Sequence, residues 1–178
     1  MKTLDQYRIP FTGLKPGKHE FEFEINKLFF EEFEYSLVKN GDLKASVTLD
    51  KQETMMVADI HITGMIELTC DVCLNQFWSK SDILQRLIIK FDGSDDVADS
   101  TDEILILKKN EFELDLTNIL YEYINLSLPY YSRCEEQGEN VSCDQSMIDK
   151  LKSLSNQEST STNEDPRWEI LKKIKNNN

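Results

Sequence analysis

The sequence predicts an α+β domain: a largely antiparallel β-sheet, or a partly closed barrel, covered by one or two helices and trailed by a mobile C-terminal helix. Three observations carry that class. Apolar and polar residues alternate with period two through much of the first two thirds of the chain, as half-buried strands require. One stretch near residue 120 switches to apolar spacings of three and four, the repeat of a helix with a single buried face. A length of 178 residues suits one core better than two. Residues 1–152 are therefore expected to form the domain, 153–164 a polar linker, and 165–178 an amphipathic helix.

In "HEFEFEIN", Phe21, Phe23 and Ile25 share one face while Glu20, Glu22 and Glu24 share the other, which is a strand. "NKLFFEEFEYSL" breaks the rhythm: Leu28, Phe29 and Phe33 fall at helical spacing and Asn26 can cap a short helix. Asn40-Gly41-Asp42 reads as a turn, after which Leu43, Ala45, Val47 and Leu49 alternate with polar residues as a second strand. From Ala58 the even positions Ala58, Ile60, Ile62, Gly64, Ile66, Leu68 and Cys70 share a face, with a bend expected at Gly64.

"FWSKSDILQRLIIKF" continues extended, and "DGSDDVADSTDE", with six acids and no base, reads as a solvated, mobile loop. "ILILKKNEFEL" resumes strand character. A helix over Leu116 to Leu126 follows, where Leu116, Ile119, Leu120 and Tyr123 recur at three and four, Asp115 can cap and Pro129 ends the run. "SLSNQESTSTNED" has too little apolar content to repay its ordering entropy. In "DPRWEILKKIK", Asp165 is an N-cap, Pro166 takes the first helical position, and Trp168, Leu171 and Ile174 form a stripe ahead of basic residues.

The formal net charge is −13, from 20 basic and 33 acidic residues. Such a field repels a polyanion on average and suits a basic protein partner, although a local positive patch is compatible with it. The N-terminus "MKTLDQYRIP" has no apolar core of a signal peptide, and no run of apolar residues reaches spanning length, so a cytoplasmic protein away from membranes is expected.

In that reducing compartment the four cysteines are expected to stay unpaired. Cys70 and Cys73 have the two-residue gap of a zinc knuckle; Cys134 and Cys143 are separated by eight residues, and sixty residues lie between the two pairs. Three readings stay open. All four thiolates can close one zinc site, anchoring the segment after Pro129 to the strand end at Cys70. The Cys70–Cys73 pair can serve thiol-disulfide chemistry, which needs a helix N-terminus where extended residues are expected. Cys70 can also be a small core residue on its strand's apolar face. Elsewhere no catalytic constellation emerges: His61 sits on a polar strand face, and no glycine-rich phosphate loop occurs. The protein is expected not to be an enzyme.

In their order, these elements resemble the YceD family, associated with accumulation of large-subunit ribosomal RNA. The resemblance rests on "CDVC" followed by an aromatic, on "NEFELDLTNILYEYINLSLP", on cysteines shortly after that proline, and on a Pro-containing tail ending in lysines; it covers the chain from about Leu43 onward. In that family the place held here by Cys134 is often a histidine, with a cysteine a few residues later, where Cys143 stands. An interchange of His and Cys favours zinc as the cofactor.

The resemblance implies a non-enzymatic role in biogenesis of the large ribosomal subunit, through accumulation or processing of 23S rRNA. Charge then suggests a basic ribosomal protein or a large-subunit precursor as partner, with Glu20, Glu22 and Glu24 or the Asp95-Asp96 loop as acidic contacts and Trp168 as an apolar anchor. The plainer alternatives are a solvated role for these acids and docking of Trp168 on its own core. The rival functions are a CxxC redox protein and direct RNA binding through Arg167, Lys172, Lys173 and Lys175.

Overall fold

Alternation along the sequence becomes a five-stranded sheet in the computed structural model, which describes residues 4–92, 104–108, 110–138 and 141–158. A 3-10 turn, Asp5–Tyr7, leads into β1 (Arg8–Pro10), β2 (Gly17–Ile25), α1 (Lys27–Glu31), β3 (Gly41–Lys51), β4 (Met55–Thr69) and β5 (Gln76–Asp92). After these come β6 (Ile104–Lys108), β7 (Glu113–Asp115), α2 (Thr117–Leu126), α3 (Cys134–Gln137) and α4 (Gln145–Glu158). The main sheet has the order β2-β3-β4-β5-β6, antiparallel except for the parallel β5–β6 pair. It is open and does not close into a barrel, so the α+β class and the sheet alternative of the sequence reading are those found. β1 and β7 pair with each other in a separate two-stranded sheet.

Register explains which face is buried, because residues directly opposite across neighbouring strands point the same way. Phe21, Val47 and Ile60 lie in one row, Ile25, Leu43 and Gly64 in another. Leu43, Ala45, Val47, Leu49, Ala58, Ile60 and Ile62 are all buried, and Ile9, Leu114, Leu116, Leu120 and Ile124 belong to the same core. The opposite face carries Glu20, Glu22, Glu24, Asp59, His61 and Arg86, all exposed.

Gly64 lies inside β4, whose register with β3 and β5 runs through it without a break; its φ is +144°, and a Cβ there would lie 2.2 Å from the Asp42 carbonyl oxygen. Gly41 is a correction. It opens β3 instead of forming a hairpin turn, and glycine is needed because a Cβ would meet the Phe30 ring at 2.9 Å.

Asn26 caps α1 as expected, its Oδ1 accepting the Leu28 N–H at 3.0 Å. The buried side chains are Phe29 and Phe30, whereas Leu28 faces solvent and Phe33 is half-buried, stacked on Tyr121 at 3.9 Å. A helix this short has no sustained stripe, so two consecutive rings enter the core together with Tyr7, which meets Phe29 edge-on at 4.9 Å. Asn26→Ala should lower stability by about 1 kcal/mol, read as a lower urea midpoint at unchanged slope.

The start of α2 is fixed twice. Asp115 Oδ1 accepts the Thr117 N–H at 2.9 Å, and the Leu116 N–H donates to the Tyr7 carbonyl at 3.1 Å. Partial burial raises the Asp115 carboxyl, but its bonds from Thr117 and Arg8 outweigh this and hold it below the usual range. Leu116, Leu120 and Tyr123 are buried as the spacing predicts; Ile124 joins them, and Ile119 is half-buried.

The linker is the second correction, since residues 153–158 continue α4. Asp144 accepts the Ser146 N–H at 2.8 Å where the helix begins, and Met147 and Ile148 pack on the core. Ser153 and Ser155 donate their hydroxyls to the carbonyls of Lys150 and Lys152, so residues that read as linker by composition are held inside the helix. The acidic stretch with Asp95 and Asp96, the rest of the linker, and the tail with Trp168, Arg167 and its lysines lie outside the described residues. Among the described residues no helix is long and apolar enough to cross a membrane.

Candidate metal centre

β4 ends at Thr69, and Cys70 continues its buried face by one position. The chain then turns back through residues 71–75 into β5. The Leu74 N–H donates to the Cys70 carbonyl and the Cys70 N–H to the Asn75 carbonyl, both at 2.9 Å, and Leu74 takes a left-handed φ of 63°. This turn folds Cys73 back beside Cys70.

The second pair arrives from the far side of α2. Beyond Pro129 the chain meets the knuckle at Asp71, whose N–H donates to the Ser132 carbonyl at 2.8 Å and whose Oδ2 accepts the Ser132 N–H at 2.6 Å. Cys134 opens α3, which is closed by Gly138 donating to the Cys134 carbonyl at 3.0 Å and tied to the sheet by a Ser79–Gly138 bridge. A Cβ on Gly138 would meet the Cys134 carbonyl at 2.5 Å and the Phe77 ring at 3.1 Å, so only glycine permits this approach. The Cys143 N–H donates to Glu135 Oε1 at 3.3 Å, which returns the chain to the cluster.

All four sulfurs lie within 4.8 Å of one another, and all four residues are at least nine-tenths buried. Cys70 and Cys143 are 3.8 Å apart, Cys73 and Cys134 3.9 Å, Cys134 and Cys143 3.2 Å. A tetrahedral ion with metal–sulfur bonds of about 2.3 Å sets its sulfurs about 3.8 Å apart, whereas a disulfide needs about 2.05 Å. The four cysteines are unpaired and cluster at metal-binding distance.

Electrostatics favour the same donor set. Burial raises the Cys70 thiol, but backbone N–H groups of Cys73, Cys134 and Val72, with the Cys73 thiol, outweigh it and bring it to about 6. Cys134 is raised by burial, and Cys143 by its hydrogen bond with Cys134 and then by burial. Four thiols so crowded cannot all ionise alone; a divalent cation removes that conflict by neutralising the thiolates. With four protein ligands no coordination position stays open, the arrangement of a structural centre.

The knuckle is followed by β5, not by a helix, so the dipole that a redox CxxC uses is missing from it. His61 lies on the exposed sheet face with Nε2 2.8 Å from Asp82 Oδ1, and His19 contacts the Lys15 carbonyl; neither belongs to the cluster. Glu20, Glu22 and Glu24 line the outer face of β2, with Glu22 paired to Lys44 at 2.8 Å. Sequence reasoning missed Asp71, Glu135 and Gly138. Asp71 offered one signal, a carboxylate immediately after the first cysteine, where it can reach a neighbouring segment.

A family model described as "Large ribosomal RNA subunit accumulation protein YceD" matches residues 58–175, a span that contains all four cysteines. No curated protein and no solved structure matches the chain.

Proposed function

We propose that this chain, which belongs to the YceD family, holds one zinc ion through Cys70, Cys73, Cys134 and Cys143 and serves large-subunit ribosomal RNA accumulation as a non-enzymatic assembly factor. When bound, the zinc ion would tie the β4–β5 turn to the segment after α2, and its binding free energy would add to the stability of the fold. The observation that carries the reading is convergence: four cysteines from two distant segments meet at one point inside the matched region.

The same reading takes a basic ribosomal protein, or a precursor particle bearing one, as the partner. A net charge of −13 supports it, as does the row of exposed glutamates on β2. Such a field steers a basic chain in and disfavours bare phosphate. Sedimentation of tagged protein on a gradient tests this. Migration with large-subunit precursors, or a pool bound to a basic ribosomal protein, is expected; migration with neither contradicts the assembly role. A direct grip on RNA would instead weaken steeply between low and physiological salt.

Asp71 gives a finer test of the zinc centre. Asp71→Ala removes the acceptor that fixes Ser132, and with it the alignment of the second cysteine pair. Zinc affinity should fall by about 10-fold in competition with a chromophoric chelator, while the sheet stays folded.

A further inference from the structure

Beside the cysteine cluster a groove of about 320 Å³ opens where the ends of β4 and β5 meet the segment after α2. Leu37, Leu128, Pro129 and Tyr130 give it apolar walls, and Leu37 and Tyr130 are largely exposed. Apolar side chains grouped in a concave surface are characteristic of a surface that gains by being covered. Two carboxylates, Glu67 and Asp71, line the same groove.

Each carboxylate is held by one oxygen. Asn40 Nδ2 donates to Glu67 Oε2 at 3.2 Å, and the Ser132 N–H donates to Asp71 Oδ2. Neither forms an ion pair with a basic side chain among the described residues. Lys39, also in the lining, sends its Nζ toward the Glu34 carbonyl at 3.4 Å. Oriented anionic acceptors beside an exposed aromatic ring complement an arginine or lysine flanked by a large apolar side chain. An RNA strand meets the wrong charge here.

We propose that this groove binds a basic, apolar-anchored segment of a protein partner, and that the metal centre shapes the groove. Asp71 lies between Cys70 and Cys73, and Ser132, bonded to it, two positions before Cys134, so the part of the groove they form is anchored beside the same four sulfurs. The proposal rests on the reading that the protein holds a basic partner, and it moves the decisive contact from the β2 glutamates to the knuckle.

The test is a titration of the zinc-loaded full chain with a fluorescent octapeptide carrying Arg and Lys beside Leu and Trp, against a copy with Glu in place of the bases. The basic peptide should bind at least about 10-fold tighter. Tyr130→Ala and Glu67→Gln should each weaken it by about 5-fold or more without moving the melting temperature, because neither change opens the core. Chelation of the zinc should abolish binding, and the triple change Glu20→Gln, Glu22→Gln, Glu24→Gln should leave it unchanged. Loss in the triple variant with full binding in the groove variants overturns the groove while leaving the basic partner standing. Equal binding of the two peptides, or none by either, overturns both. A single-stranded RNA oligonucleotide that binds tighter than the peptide, and is weakened by the groove variants, overturns the protein occupant.

Discussion

Cys134→Ser is expected to cost on the order of 3–5 kcal/mol, and a strong chelator to do the same to the unaltered chain. Cys134 is fully buried and lies 3.2 Å from Cys143 and 3.9 Å from Cys73, so no neighbouring donor replaces it. Structural zinc contributes its binding free energy directly to folding. Damage should be local, because the sheet has its own core on the buried faces of β3, β4 and β5. Hydrogen exchange should show protection lost at residues 70–76, 130–138 and 141–143 and kept in β3. Acid should mimic the substitution. Thiols must shed protons to bind the ion, so the zinc-dependent stability is present at neutral pH and is lost as falling pH protonates them.

Gly64→Ala is the second large effect, expected at about 3 kcal/mol or more. A φ of +144° is strained for any L side chain, and the added Cβ would fall 2.2 Å from the Asp42 carbonyl and 2.8 Å from the Leu43 Cα. Both obstacles are backbone of β3, which is paired on each side and cannot step away. Gly13→Ala is the matched control, since nothing lies within 4 Å of its Cβ position; its effect should stay within about 0.5 kcal/mol. Urea unfolding of the two variants separates conformational strain from a general intolerance of the added methyl group.

The long strands were legible because burial of one face imposes period two on the residues themselves. Ile60 and Val47 announce their side of the sheet without reference to each other. β1, and its pairing with β7, were not legible: three residues carry no period, and Ile9 meets Leu114 across more than a hundred positions, although the strand character of Glu113 and Leu114 was read within the run from Ile104. The parallel placement of β6 beside β5 was equally hidden, since a short apolar run states burial and not direction. At α4 composition misled, because serines that bond back to their own helix look the same in sequence as serines in a linker.

The centre was half legible. The Cys70–Cys73 spacing is a local signal of a turn that can chelate, whereas the gap between Cys134 and Cys143 follows no common pattern, and only α3 with Gly138 pressed on Phe77 brings them back together. Asp71 acts through a contact 61 positions away, which spacing rules do not reach. The acidic residues of β2 were correctly placed on an exposed face, and exposure alone assigns them no partner.

Metal content of protein purified without chelators, measured together with its reactive thiols, decides whether the four cysteines hold zinc. One zinc per chain is expected, with no reactive thiol until a chelator is added, when four cysteines react as the zinc leaves. Metal-free protein with four reactive thiols, whose melting temperature zinc does not raise, would contradict it.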